Sequence, residues 1–296
     1  MPSWPPYDST LRRRARAALR LSAAVASPRF YPRAPVVPAY WWDGHANFGD
    51  ALTPWLLHRY RMIAVHTSPS SAAMSGAGSI IEQLSDEFAG TVWGSGLMYG
   101  EKVALPHATF AAVRGQHTRE VLGLAGDVAL GDPGLLVSRH LTRPRVRYAL
   151  GLVPHGLHNS SETIARLAAD RSDVTVIDTR GTVSSVVRQI ARCEAIVSSS
   201  LHGLIVADSY GIPAAWCVLD PPLWGAEFKF HDHESVVTSG SSRRVIVDET
   251  ATLPELRNGL RAADPDLVKA SIESVEAALS QVRSTSLPPY LALRAR

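Results

Sequence analysis

Ile196-Val197-Ser198-Ser199-Ser200-Leu201-His202-Gly203-Leu204-Ile205-Val206-Ala207-Asp208-Ser209-Tyr210-Gly211 passes from a short apolar strand, through three hydroxyls, into an apolar helix predicted to stop at Gly211 and Pro213. Strand, turn and helix in that order form the repeating unit of a parallel sheet covered on both faces. Three serines at a helix start offer hydroxyls and backbone N–H groups at the positive end of the helix dipole, which suits an anion. His202 follows in the first turn and is predicted to face a cleft. The plainer reading makes Ser198, Ser199 and Ser200 a capping cluster and His202 a hydrogen-bonded structural residue.

The same alternation extends on both sides of this stretch. Apolar strands are predicted at 148–153, 174–177, 195–198, 214–219 and 245–247, five in all. Between them lie a helix opening on an Asn159-x-x-Glu162 capping box and a helix capped by Thr182 with Val183, Val186, Val187 and Ile190 on one face. Asp264 and Pro265 start a last helix that could pack back across the molecule. Upstream, strands at 36–42, 63–67, 91–93, 109–113 and 128–130 alternate with helices at 51–60 and 117–124. The fold class is therefore α/β, with two Rossmann-like doubly wound lobes facing a cleft. Residues 36–146 form the first lobe, 147–296 the second with its returning helix, and 1–35 a basic Pro/Arg-rich arm.

Composition removes several classes. At 296 residues, 46% hydrophobic and 19% charged, the chain is neither disordered, collagenous nor coiled-coil. Its net charge is +3, but residues 1–20 carry five arginines against Asp8, so the remaining chain sums to −1. A neutral body argues against a nucleic-acid partner. Cys193 and Cys217 form neither a disulfide framework nor a zinc knuckle, and a reducing, cytoplasmic setting follows. No apolar run approaches the roughly 20 residues needed to span a bilayer. The stretch 11–26 superficially copies a signal peptide, but Arg16 and Arg20 interrupt it. It reads as an amphipathic surface helix or an arm, with peripheral contact at the inner face of a membrane as a further expectation.

Other motifs gain weight from their place at strand ends. Asn47-Phe48-Gly49-Asp50 opens a helix, and Asp50 reads equally as its cap or as a functional carboxylate. Gly94-Ser95-Gly96 lets backbone approach a ligand but does not complete a dinucleotide fingerprint. Arg114-Gly115 ends a strand with a guanidinium suited to carboxylate or phosphate, or to a neighbouring acidic side chain. Asp132, in Gly131-Asp132-Pro133-Gly134, either fixes its loop or touches ligand. Val153-Pro154-His155 brings a histidine to the second lobe's first strand end, as a base or as a loop residue. His231-Asp232-His233-Glu234 on an extended chain lacks further ligands at metal spacing, so no metal is expected, and Lys229 just before it is a second cation for an anionic donor.

Taken in order, Asn47-Phe48-Gly49-Asp50, Gly94-Ser95-Gly96, Val113-Arg114-Gly115, Gly131-Asp132-Pro133-Gly134, Gly151-Leu152-Val153-Pro154-His155, Ser198-Ser199-Ser200-Leu201-His202-Gly203 and Lys229-Phe230 resemble the polysaccharide pyruvyl transferase family over about residues 36–235. The resemblance implies a glycosyltransferase-B-like pair of lobes. It implies transfer of a pyruvyl group from phosphoenolpyruvate to a sugar of a glycan or lipid-linked oligosaccharide, as a cyclic ketal, with no cofactor. It also implies that Leu201, His202 and Arg114 line the donor site. Members often carry Arg directly before Leu-His where this chain has Ser200, which leaves open the cation that meets the phosphate.

On the residues themselves, Ser198, Ser199, Ser200, Arg114 and Lys229 are expected to hold the donor's two anionic groups, and His202 to act as acid or phosphate partner. His155 or Asp50 would orient the acceptor hydroxyl. Asn47, Gly94, Ser95 and Trp42 are expected around the acceptor. Two other functions fit the same architecture: a nucleotide-sugar glycosyltransferase and a non-catalytic glycan-binding protein. Glu227 and Glu234 lie one place closer than the two glutamates of many retaining glycosyltransferases.

Overall fold

The computed structural model describes residues 8–25, 35–225 and 227–285. Of the expected arm, helix α1 (Thr10–Val25) lies against the first lobe, whereas residues 1–7 and 26–34 lie outside the described residues, as do residues 286–296.

The first lobe runs β1 (Val36–Tyr40), α2 (Leu52–Arg59), β2 (Ile63–His66), β3 (Met74–Ser75), β4 (Thr91–Trp93), β5 (Thr109–Val113), α3 (Gln116–Leu122), β6 (Ala129–Leu130) and α4 (Val137–His140). Its sheet order is β2-β1-β3-β4-β5-β6, parallel throughout. β3 escaped the sequence reading because two residues carry no periodicity.

The second lobe runs β7 (Leu150–Val153), α5 (Glu162–Ala168), β8 (Val174–Val176), α6 (Val183–Ala191), β9 (Ile196–Ser198), α7 (Leu201–Ser209) and β10 (Ala214–Trp216), with parallel order β10-β9-β7-β8. Then follow α8 (Phe228–Val237), α9 (Leu253–Gly259) and α10 (Pro265–Thr285). β7, β9 and β10 are buried at every residue, the mark of strands covered on both faces. In α6, Thr182 accepts from the Ser185 N–H and Val183, Val186, Val187 and Ile190 are buried together.

Two local expectations fail in this lobe. The predicted fifth strand at 245–247 shrinks to one parallel bridge between Trp216 and Arg244, because the chain turns away where Asp248 accepts from Thr250. The Asn159 capping box is displaced as well. Ser161 caps α5 through the Ile164 N–H, and Asn159 bonds Asp178 instead.

α7 is buried from Leu201 to Asp208 and stops where Gly211 takes a left-handed φ of 64°. Such a helix has no solvent face because both lobes use it: it packs on β9, β10 and α8, and on the first-lobe turn at 133–136. One apolar core accordingly runs from Val37 and Leu52 through Leu135 to Leu204 and Val275.

α10 starts where Asp264 accepts from the N–H groups of Asp266 and Leu267. It then crosses to the first lobe, packing on β4, β5 and β6, and the Trp93 indole N–H donates to the Val275 carbonyl at 2.9 Å. Among the described residues, no helix is long and apolar enough to cross a membrane.

Candidate active site

Each sheet reverses its strand order once, between β1 and β3 in the first lobe and between β7 and β9 in the second. Loops leaving the carboxyl ends of such strands diverge and leave a crevice. In the first lobe that crevice takes the loop with Trp42, Asn47, Gly49 and Asp50, together with Gly76 to Ser79; in the second it takes His155 and the turn Ser199-Ser200-Leu201-His202. The two crevices meet. The Phe48 N–H donates to the Thr179 carbonyl at 2.9 Å, and a Cβ on Gly49 would lie 2.1 Å from His202 Nδ1, so only glycine leaves room for that ring.

The serine turn differs from the expected cradle of hydroxyls. Ser198 is buried, donates to the carbonyls of Val153 (3.0 Å) and Ser200 (2.7 Å), and accepts from the Ser200 N–H. Ser199 is also consumed. His158 Nε2 lies 2.9 Å from the Pro221 carbonyl, which can only accept, so that nitrogen carries the proton in the neutral ring. Nδ1 is then an acceptor for the Ser199 hydroxyl at 3.1 Å, while Ser199 accepts from the His155 N–H at 3.0 Å. Ser200 makes no side-chain cap bond, and the N–H groups of Leu201 and His202 have no carbonyl within the helix to reach. What remains for an anion is the Ser200 hydroxyl and the helix start itself.

His155 is not the free base expected. Its Nδ1 accepts from the Leu157 N–H at 3.3 Å, which leaves Nε2 protonated in the neutral ring. Burial, followed by the neighbouring charges of Lys229, His158, His202 and His45, pushes its pKa down to about 3. His155 therefore offers a neutral N–H donor at physiological pH.

His202 lies in a tight setting, with Phe48 edge-on to its ring at 6.3 Å between centroids. Its Nε2 is 3.7 Å from Asp132 Oδ2, and both atoms are buried without a hydrogen-bond partner. Asp132 fixes its loop, Oδ1 accepting from the Gly134 N–H at 2.7 Å, while Oδ2 faces His202. Burial holds the His202 pKa below the usual imidazole value; Asp132 pulls the other way, and the charges of Arg114, Lys229 and His233 add to the lowering.

Lys229, near the start of α8, is buried as well. Burial, then Arg114, pushes its pKa down to about 8, while Asp50 pulls it upward. Asp50 does not cap α2, whose N-cap is Ala51 without a side-chain bond. It faces Gly78 and interacts with Lys229 instead. Asn47 folds its own loop by accepting from the Gly49 N–H at 3.0 Å, and Trp42 lies half-buried against His45.

Arg114 lies close enough to lower the pKa of Lys229 and His202, but its guanidinium is turned to protein partners. It is wholly buried and each guanidinium nitrogen has a partner: Nε donates to Asp232 Oδ2 at 2.8 Å, Nη1 to Ser79 Oγ at 2.5 Å and Nη2 to the Leu97 carbonyl at 2.5 Å. Asp232 also accepts from Thr118, through its N–H (2.8 Å) and its hydroxyl (2.7 Å). Arg114 is thus a clasp between the first lobe and α8. Gly96 lies flat beneath it, with room for no Cβ, which explains the glycine there without a ligand. Gly94 takes φ 82° against Pro133, and the Ser95 hydroxyl is buried on the Gly76 carbonyl, so neither opens to an acceptor.

The stretch His231 to Glu234 is helical rather than extended, and its groups are committed to partners. Asp232 holds Arg114, His233 Nε2 meets Asp208 at 2.8 Å, and Glu234 accepts from Arg243. Arg243 also grips Asp208 with both Nη atoms, at 2.5 and 2.9 Å, tying α7 to α8. Burial opposes ionisation of Asp208, yet Arg243 and His233 together hold its carboxyl below the usual range. Sequence reasoning missed these partners, and missed His158. Reading residues 228–237 as a helix would have placed Lys229 and Asp232 three apart on one face, a usable signal.

The chain matches the family model for polysaccharide pyruvyl transferases over residues 42–221. It is 30% identical over 212 residues to the succinoglycan biosynthesis protein ExoV of Rhizobium meliloti, which takes in 66% of this chain and 63% of that protein. It is 30% identical over 155 residues to the uncharacterized protein L143 of Acanthamoeba polyphaga mimivirus, with 49% of this chain and 54% of that one covered. The chain therefore spans between half and two thirds of these relatives' lengths. Among solved structures it is similar to the iron-containing dodecameric glycosyltransferase TibC from enterotoxigenic E. coli, at 14% identity and TM-score 0.29 over 84% of this chain and 77% of that one.

Proposed function

Because this chain belongs to the polysaccharide pyruvyl transferase family, we propose that it moves a pyruvyl group from phosphoenolpyruvate to a sugar of a polysaccharide or lipid-linked precursor, closing a pyruvate ketal. The observation that carries this reading is the meeting of the two crevices around a buried ammonium, Lys229, and the open start of α7, with neutral imidazoles beside them. Lys229, His155, His158 and His202 converge there with Asp50 and Asp132. A ligand rich in negative charge completes such a site. The succinoglycan biosynthesis named for ExoV supports a polysaccharide precursor as acceptor.

Phosphoenolpyruvate brings a carboxylate and a phosphate. Lys229, the open start of α7 at Leu201 and His202, and the neutral His155 Nε2–H supply charge and donors from the second lobe, facing Asp50 and Trp42 of the first. Protonation of the methylene carbon leaves positive charge on C2. One sugar hydroxyl then adds to C2, forming a C–O bond and releasing its proton. A second hydroxyl displaces phosphate from C2, forming the other C–O bond as the bond to the phosphate oxygen breaks. The second hydroxyl proton leaves with the phosphate or through a base. The sum is donor plus diol giving ketal plus phosphate, so the route needs no metal and no redox partner.

His202, steadied by Asp132, is the residue to deliver the first proton or accompany the departing phosphate. Asp50, held near Lys229, is the carboxylate to take a hydroxyl proton, and Trp42 is a wall for the sugar ring. Two free buried thiols, Cys193 and Cys217, fit a reducing, cytoplasmic setting.

The test combines binding and turnover. Phosphoenolpyruvate should raise the melting temperature, and acceptor glycan should make the enzyme release phosphate while gaining a pyruvate substituent detectable by mass spectrometry. Stabilisation by UDP- or GDP-sugars but not by phosphoenolpyruvate would overturn the reading.

A further inference from the structure

α1 is held by one face and bare on the other. On the inner face, Arg13 donates to Asp43 Oδ1 from Nε (3.1 Å) and Nη2 (2.6 Å), and Arg16 Nη2 donates to the Asp43 carbonyl at 2.7 Å. Arg16 also pairs with Asp8, whose N–H donates to the Gly44 carbonyl at 2.9 Å. On the outer face, Leu11 and Leu19 are 80% and 70% exposed, the former being the most exposed large apolar side chain among the described residues. At about 100° per residue, Leu11, Ala15 and Leu19 fall within roughly 80° of one another, and Arg12 and Arg14 flank that stripe on its two sides. Ala15, Arg12 and Arg14 are exposed too, and the helix holds no acidic residue.

We propose that this outer face of α1 docks on an anionic lipid bilayer, with Leu11 and Leu19 entering the boundary between headgroups and acyl chains and Arg12 and Arg14 meeting lipid phosphates. Charge decides between occupants. A second copy of this chain could cover the leucines, but the chain beyond residue 20 sums to only −1 and offers no strongly acidic body to two guanidinium groups. A bilayer rich in anionic lipid offers apolar depth and phosphate together. The grip on Asp43 adds a consequence, since the same loop runs on to Gly49 and Asp50. Docking would bring the crevice beside a surface that presents lipid-linked sugars; that consequence rests on the function proposed above, whereas the docking itself does not.

The experiment uses the full chain with vesicles of phosphatidylcholine alone or mixed with phosphatidylglycerol, without donor or acceptor, so its outcome is independent of the enzymatic reading. The chain should sediment with the mixed vesicles only, and less so as salt rises. Arg12→Glu/Arg14→Glu and Leu11→Ser/Leu19→Ser should each weaken binding by about tenfold or more, at unchanged melting temperature. Equal sedimentation with both vesicle types, none with either, or undiminished binding of the variants would overturn the proposal. So would a lipid-free dimer, seen by analytical ultracentrifugation, that Leu11→Ser/Leu19→Ser dissociates.

Discussion

On α8, Asp232 and Lys229 stand three residues apart and serve charge clusters of opposite design. Around Asp232 every charge is answered: Arg114, Ser79, Thr118 and the Leu97 carbonyl close a network with no guanidinium nitrogen left over. Around Lys229 the balance is open: burial with neighbouring cations depresses the pKa values of Lys229, His155 and His202 together, and Asp50 and Asp132 only partly oppose it. A saturated buried network stiffens a fold, while an unsaturated one stores unfavourable electrostatics that an anion would relieve. The contrast separates a closed charge network from an open one more sharply than residue type does, for an arginine lies in the first and a lysine in the second.

The comparison can be broken by mutation. His202→Asn should have the largest effect, lowering kcat/KM for phosphate release by roughly 10²–10⁴-fold with little change in melting temperature. Near-normal turnover would remove His202 from the chemistry. Arg114→Ala should act in the opposite sense, on the fold. It strands a buried Asp232 carboxylate at a cost of about 3–5 kcal/mol, which lowers the melting temperature by on the order of 10 °C. Replacing both partners, Arg114→Leu with Asp232→Leu, should recover most of that loss. A stable, inactive Arg114→Ala protein would return this arginine to the ligand.

Gly49→Ala probes the seam between the lobes, because its methyl would land on the His202 ring. It should cost about 1–3 kcal/mol in stability and reduce kcat as His202 shifts; chemical denaturation and steady-state kinetics read the two losses separately. The smallest effect is a pH dependence. Lys229 has an ordinary pKa of 10.5 and a folded value of about 8, so between those values the unfolded chain binds the proton that the folded one has lost. Stability from this group therefore rises with pH from about 8 to about 10.5, whereas KM for phosphoenolpyruvate should climb as pH passes about 8 and the ammonium disappears. Lys229→Met should flatten both trends.

Much of the architecture was legible because it rests on periodicity. The strands at 91–93 and 109–113, the Thr182 cap and the Asp264-Pro265 helix start are local patterns, and they appear where the pattern puts them. The candidate site was legible only as a place, since residues at strand ends converge wherever a parallel sheet reverses its order. What the sequence could not carry was the sharing of hydrogen bonds across distance. Arg114 and Asp232 are 118 residues apart, and His158 and Pro221 are 63 apart. No spacing rule announces that such partners will meet and consume a guanidinium, or leave Ser199 without a hydroxyl to offer. Reading residues 231–234 as extended hid the clasp a second time, by separating groups that a helix brings to one face.

The helix that returns over β4, β5 and β6 bears on how the chain is born. The inner sheet strands emerge from the ribosome early, yet the layer that covers them, including the carbonyl that receives Trp93, is synthesised only after the entire carboxy-terminal lobe. A fragment cut at the waist would leave its aliphatic side bare to water and to other nascent chains. The two sheets of this molecule are thus made one after the other but completed together.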